Sequence, residues 1–435
     1  MGCTNCIKRC PTEAIRVQGG KAVIASERCI DCGECIRICP HHAKRARFTA
    51  LSEISGFTYK IALPAPSLYG QFNNLDDIDY VLTGIKQLGF DDVFEVSRAA
   101  ELVSEATRKL LASGRLKRPV ISSACPAVVR LIRVRFPDLC DHVLPLKSPM
   151  ETAAALAKAE AVKKTGLPEE QIGCFFLTPC PAKVTDIQMP LGLEKSQVDG
   201  AIAISEIFPV LSHKMDHLEK VETLSGSGII GVGWSTSGGE AAALLNEKYL
   251  AADGIENVIR VLEEIEDERI GDLEFIELNA CAGGCVGGVL CVENPYVAKA
   301  RIQRLRKYLP VSQNHLGGGP VPPVMEWEES LEFSNVLTLS EDLSEAMRMM
   351  VEIDEIVKEF PGLDCGACGA PTCRAFAEDV VRGNSKKTGC IFVYRRQMQQ
   401  MADTLFQMGD GLGRFPREGK SPGTDGPETG TGEDG

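Results

Sequence analysis

The grouping of its cysteines limits this chain more than any other feature. There are 18 in 435 residues, too many for isolated core thiols. The opening residues, Met1-Gly2-Cys3-Thr4-Asn5-Cys6, lack the basic start and apolar stretch of a secretory signal. A cytoplasmic location is therefore expected, where disulfides are rare, and clustered thiols in such a place point to metal. Cys29, Cys32, Cys35 and Cys39 precede Pro40 in the pattern C-x2-C-x2-C-x3-C-P. Thiolates three apart on a tight loop can converge on three irons of one cube, while the last, displaced by a helical turn, points to a second. Zinc sites use paired ligands rather than a run so spaced, so iron–sulfur is the expected chemistry.

That run is the one found in bacterial ferredoxins. Cys3, Cys6, Cys10 and Pro11 repeat its last three cysteine positions. The expected division gives Cys10, Cys29, Cys32 and Cys35 to one 4Fe–4S cluster and Cys3, Cys6 and Cys39 to another. The missing ligand of the second would precede Met1, and a start further upstream is expected, the alternatives being a non-cysteine ligand or a cluster of three irons. Near the other end, Cys365, Cys368, Cys373 and Cys390 follow C-x2-C-x4-C-x16-C. Gly366, Gly369 and Pro371 free this loop to wrap a metal. Four thiolates also suit structural zinc. The stretch resembles the four-cysteine 4Fe–4S module of corrinoid iron–sulfur proteins and of an electron-transport subunit of ion-pumping oxidoreductases, which favours 4Fe–4S.

The remaining cysteines are dispersed. Cys125 lies in SSACPAVVR, Cys180 in TPCPAKVTD, and Cys281 and Cys285 in ELNACAGGC. Alone, each could be a buried structural thiol; together they occupy Gly/Pro-rich turns where backbone can approach a cofactor. These segments resemble the three signature loops of the iron-only (FeFe) hydrogenase large subunit, over roughly residues 56–310. The resemblance implies an α/β H-cluster domain flanked by an N-terminal ferredoxin-like α+β unit and a small C-terminal 4Fe–4S module. It implies that Cys125, Cys180, Cys281 and Cys285 bind the cube of an H-cluster, with Cys285 bridging to a two-iron unit bearing CO, cyanide and a dithiolate amine. Lys183 matches the lysine that donates to one cyanide, a charge-assisted bond strengthened where water is excluded; otherwise it is a solvated loop charge. Ala65-Pro66-Ser67 resembles the turn that serves the other cyanide. Ser237-Gly238-Gly239-Glu240 resembles a glycine turn lining the distal iron, or else is a helix start capped by Ser237.

The departures from the family pattern are as informative. Ala124 stands where the family usually has a proton-handling cysteine, and alanine carries no proton. Leu144 replaces a serine of the usual relay, Met150 a glutamine, Thr178 and Asn279 two methionines, and Asp186 a glutamate. Keeping the ligands while losing the relay resembles the sensory branch of the family. The implied function is slow, reversible heterolytic cleavage of H2, with the redox state read by a signalling or redox protein partner. Glu101 and Glu105 offer an alternative proton route, or a solvated helix face. The competing readings are a non-catalytic iron–sulfur assembly or carrier protein of the same fold and an electron-transfer subunit of a larger complex.

Composition excludes other classes. A formal charge of -13 argues against nucleic acid, and no apolar run is long enough for a membrane span. Along the chain, the expected units are 1–48, ferredoxin-like; 56–310, the H-cluster domain; 311–342, a linker containing GGGPVPP; 343–408, the C-terminal cysteine module; and 409–435, a disordered Gly/Pro/Glu/Thr tail. Within 56–310, strands at Phe57–Leu63, Pro119–Ser123 and Cys174–Thr178 alternate with helices such as Ala127–Arg135, so loops at strand ends carry function. The segment after Cys180 reads as a loop. Gly226, Gly228 and Gly231 match G-x-G-x-x-G but lead into an apolar strand-like stretch rather than a dinucleotide-binding helix. His213 and His217 have helical ligand spacing without a third ligand. Met347, Met349 and Met350 are expected to pack a helix.

Overall fold

The computed structural model describes residues 3–411, with side chains to 408. Except for 409–411, which continue a helix, the expected tail lies outside the described residues. The N-terminal unit is a hairpin, β1 (Ile15–Gln18) and β2 (Lys21–Ile24), with short helical turns at Asn5–Lys8 and Glu34–Arg37 carrying Cys6 and Cys35. Gly19 and Gly20, both at positive φ, close the two-residue turn whose twist suits antiparallel strands.

Next come two parallel sheets. One has β4 (Asp92–Val93), β3 (Tyr59–Pro64), β6 (Ile172–Thr178) and β7 (Gly200–Ala203), in that order. The other has β5 (Val120–Ile121), β9 (Phe275–Asn279) and β8 (Tyr249–Asp253). All neighbours in both are parallel. Strand β6, IGCFFLT, is buried throughout, as a parallel strand covered on both faces requires. Helices α1 (Val96–Ala112) and α3 (Pro149–Thr165) pack together on one side. Ala153, Ala154, Ala157 and Ala161 let α3 sit close to Ile61, Leu63 and Phe176. Ser148 caps α3 by accepting from the Glu151 N–H. Between them in sequence, α2 (Pro126–Arg135) follows Cys125, and later α4 (Pro181–Gln188) follows Cys180.

Several local expectations change. The segment after Cys180 is helix α4, because Pro181 at the first position has the φ that starts one. The stretch after Gly228 is a short helix, Ile229–Gly233, not a strand. Gly231 is small because a Cβ there would lie 2.1 Å from the Ser97 carbonyl oxygen. Ser237 does not cap the helix Gly239–Ala243; Gly238 takes that position without a side-chain bond. The 311–342 stretch is not a free linker. Val321 and Met325 are buried, Lys147 N donates to Met325 O at 2.8 Å, and Ser334 N to Arg133 O at 2.8 Å.

The C-terminal module contains α5 (Leu343–Glu359), α6 (Cys373–Val381) and α7 (Ile391–Gly411). Ile353, Ile356 and Phe360 of the α5 region close on Phe376, Cys390 and Val393. Met347 and Met350 do not pack as expected; both are exposed on the far side of α5. The module docks on the N-terminal unit. Arg16 Nε reaches Asp379 at 2.6 Å, Arg28 Nη2 reaches Glu378 at 3.0 Å, and Val17 N donates to Gly369 O at 2.8 Å. Gly369 sits at φ +89, and a Cβ there would lie 2.1 Å from Val17 O. Among the described residues no helix is long and apolar enough to cross a membrane.

Candidate metal centre and active site

Parallel strands present their C-terminal ends together, where α/β proteins build sites. Four such ends supply this one. Strand β3 runs into Ala65-Pro66-Ser67, β5 into Ser122–Cys125, β6 into Pro179-Cys180, and β9 into Asn279–Cys281. A cavity of about 90 Å³ lies between them, lined by Pro66, Ser67, Ala124, Cys125, Cys180, Lys183 and Cys285 among others. Met150 and Asn279 line it as well. Cys281 lies beside this group, in the field of Cys180 and Cys125.

Burial dominates the electrostatics. It pushes the Cys180 thiol up to about 11 and raises Cys281 and Cys285 further, with neighbouring thiols adding to the shift. Such sulfurs ionise readily only beside added positive charge, as a bound iron group provides. Ser67 is fully buried, and its Oγ has no hydrogen-bond partner. An unpaired buried hydroxyl costs about 1–3 kcal/mol, so its place on the cavity wall suits an acceptor brought by a ligand. Lys183 is not a solvated loop charge. It lies in the first turn of α4, mostly buried, with Nζ 3.7 Å from Asp186 Oδ2. That separation orients the ammonium while leaving donors for the cavity. Cation, free hydroxyl and thiols together fit an anionic, acceptor-bearing iron group.

The glycine turn is placed differently from the expectation. Gly238 and Gly239 are not on the cavity wall; Trp234, Ser235 and Glu240 are. The Gly238 N–H donates to Glu277 Oε1 at 2.9 Å, and a Cβ on Gly239 would lie 1.9 Å from Gly233 O. The smallness of Gly239 therefore serves close backbone packing, while Gly238 sits at φ +83, which favours glycine.

Two carboxyl groups escaped the reading of the sequence. Ser122 Oγ accepts from Ala124 N at 3.1 Å and donates to Glu240 Oε2 at 2.6 Å. Burial, then the nearby Glu277, pushes Glu240 up to about 8. Burial likewise raises Glu277, which accepts from Ala241 N at 2.8 Å and Asn279 Nδ2 at 2.7 Å. A signal was available: Glu277 interrupts the otherwise apolar strand FIEL, and buried acids are rare without a purpose or partner. By contrast, Glu101 is neither relay nor solvated face. It is buried and accepts from the N–H groups of Gly228, Gln313 and Asn314 at 2.6, 2.9 and 2.8 Å. Glu105 accepts from Leu316 N at 2.9 Å. Neither lines the cavity.

The other thiols form separate groups. Cys10, Cys29, Cys32 and Cys35 line one cavity of about 420 Å³. Burial, then Asp31, pushes Cys29 up to about 12, and burial pushes Cys35 up to about 11. Cys6 lies in the field of Cys3 and Cys39, while the Ala43 N–H lowers Cys39. Cys365, Cys368, Cys373 and Cys390 surround a third, small cavity. Among the described residues no three His, Cys, Asp or Glu side chains converge as a single metal ion requires. The groups adjoin in sequence. Cys32 packs in the same apolar cluster as Cys125 and Cys180, and Arg37 Nη2 donates to Gly287 O at 2.8 Å. At the far side, Gly366 abuts Thr4 and Ile7, next to Cys3 and Cys6.

Residues 58–249 and 238–289 match the family of the iron only hydrogenase large subunit, C-terminal domain. The chain belongs to that family. Residues 1–40 match the 4Fe-4S dicluster domain, and 360–392 match an Fe-S cluster family, so this hydrogenase relative carries iron–sulfur clusters at both ends. It is 24% identical to the NADP-reducing hydrogenase subunit HndD of Solidesulfovibrio fructosivorans, covering 61% of this chain and 56% of that one. It is 23% identical to iron hydrogenase 1 of Clostridium pasteurianum, over 52% of this chain and 49% of that one. The chain thus spans about half the length of these curated relatives. A solved FeFe-hydrogenase HydA1 from Chlamydomonas reinhardtii superposes with a TM-score of 0.48 at 17% identity, covering 60% of this chain and 90% of that one.

Proposed function

We propose that this hydrogenase-family chain holds an H-cluster on Cys125, Cys180, Cys281 and Cys285 and reacts slowly with H2. The observation that carries this reading is the unpaired Ser67 hydroxyl facing the same cavity as the Lys183 ammonium and the thiols. Both donors suit cyanide nitrogens, which an iron–sulfur scaffold would not bring. When bound, the cofactor supplies reversible heterolytic cleavage of H2 into protons and electrons.

The protein's part is to exclude water, orient the cofactor and move the proton. Pro66 and the buried 3-10 turn after it close one wall. Asp186 orients Lys183. Ala124 cannot accept a proton, so the exit passes to Glu240, which lines the cavity itself and accepts from Ser122 Oγ. Glu240 holds a proton at neutral pH because burial and Glu277 disfavour its charge. Glu240 and Glu277 are both almost fully buried, so a proton leaving through them must pass by way of a carboxylate held away from water, which suits turnover below that of a thiol relay.

The thiol groups then lie in order as an electron path: the H-cluster cysteines, the Cys10/Cys29/Cys32/Cys35 group, the Cys3/Cys6/Cys39 group, and the C-terminal module. Slow turnover at one end and a terminal cluster at the other suit a sensor whose redox state is read by a protein partner. Infrared spectroscopy of the matured, anaerobic protein tests the proposal. CO and cyanide bands are expected, with cyanide bands shifted in Ser67→Ala and Lys183→Ala. Their absence from protein with full iron content would overturn it, and turnover matching that of relay-containing hydrogenases would overturn the sensory reading.

A further inference from the structure

Helix α7 leaves the C-terminal module and runs free. It is anchored at its base by Cys390 and Val393, which are buried in the module. From Tyr394 to Met408 every residue is exposed, and among the described residues nothing packs on this length. Yet the exposed apolar side chains are not scattered. Ile391, Tyr394, Met398, Met401, Leu405 and Met408 repeat at alternating steps of three and four, the a/d spacing of a coiled coil. Each is between 49% and 67% exposed.

A solitary helix of this length is marginal in water and gains nothing from a bare apolar stripe. The stripe therefore implies a cover. Residues 412–435 offer little apolar surface to cover it, holding Leu412 and Phe415 as their large apolar side chains amid Gly, Pro, Glu and Thr. We propose that a second copy of this chain covers α7, the two helices forming a short two-stranded coiled coil.

The composition of the seam fits self-pairing. No a or d position carries a charge, so every layer made with an identical helix is apolar. The flanking e and g positions are Arg395, Gln397, Ala402 and Thr404, which set no like charges against each other across the seam. The helix is about 31 Å long at 1.5 Å per residue. Two such stripes facing each other would hide roughly 1,200 Å² in total, at the lower edge of specific stable interfaces. A micromolar rather than nanomolar dimer is expected.

Sedimentation of the full, cluster-loaded chain across about 1–100 µM tests this. The wild type should sediment as a concentration-dependent dimer. Met401→Glu with Leu405→Glu should weaken association at least about a hundredfold, since each charge would be buried in the seam. Gln399→Glu with Gln400→Glu, off the seam on the same helix, should leave it unchanged. Iron content and visible absorption, unchanged in both variants, show that the clusters and body are intact. A wild-type monomer throughout the range, a dimer that survives the seam variant, or equal dissociation by the off-seam variant would each overturn the proposal.

Discussion

Replacing Glu240 by glutamine changes one atom of a buried side chain and removes its titration. In the folded chain this carboxyl is pushed up to about 8 from an ordinary 4.5, by burial first and Glu277 second. The sign follows from proton counting. Between those values the folded state keeps a proton that the unfolded state releases, so stability falls as pH rises from about 4.5 to about 8. Glutamine, neutral at every pH, has no such slope. Integrated at 1.36 kcal/mol per unit, the wild type should lose roughly 2–3 kcal/mol relative to the variant between about pH 5 and pH 7. Below about pH 4.5 the two should converge, because the neutral acid and the amide then make equivalent contacts with Ser122. Denaturant unfolding of the anaerobic protein at several pH values measures this, with tryptophan fluorescence as the probe; Trp234 lines the cavity. A stability difference that is flat with pH, or that grows toward acid, would refute a protonated Glu240. The same variant should lower H2 turnover by about a hundredfold, the usual scale for losing a positioned proton carrier, with its infrared bands retained.

Other outcomes follow from the same geometry. Ala124→Cys places a thiol on the cavity wall where the chain has none, and H2 turnover should rise at least about tenfold; unchanged turnover would mean that proton exit is not limiting. Asp186→Asn leaves Lys183 without its 3.7 Å counter-charge, which should shift one cyanide band while iron content stays constant. Gly369→Ala would force a Cβ to within 2.1 Å of Val17 O at φ +89, destabilising the C-terminal module's docking by more than about 1 kcal/mol. Limited proteolysis should then release that module faster than from the wild type.

What was legible in the sequence follows a physical rule. Cysteines announce themselves because few other fates suit them: Cys10, Cys29, Cys32 and Cys35 line one cavity and Cys365, Cys368, Cys373 and Cys390 another, while Cys125, Cys180 and Cys285, grouped by resemblance rather than spacing, share a third. Helix α2 was readable almost to its end residues, Ala127–Arg135 against Pro126–Arg135, because its apolar residues repeat at helical spacing after a strand. Helix α4 was missed because Cys180-Pro181 reads as a turn, although proline at a first helical position starts a helix as readily as it stops one. Gly238 and Gly239 were assigned to the cofactor, when positive φ accounts for the first and the closeness of the Gly233 carbonyl for the second. Glu101 looked like a solvated helix residue because its partners, Gly228 and Asn314, are more than a hundred residues away. Long-range pairing of that kind leaves no periodic mark on the local sequence.

The contact between the Val17 N–H and the Gly369 carbonyl joins nearly opposite ends of the polypeptide. A ribosome delivers the first cysteine group hundreds of residues before the last. Until then, the edge of β1 and the guanidinium groups of Arg16 and Arg28 lack the partners that complete them. A chain cut short anywhere before residue 364 therefore cannot close its own N-terminal face. The segment that carries Cys10 and Cys29 is thus completed by residues synthesised long after it.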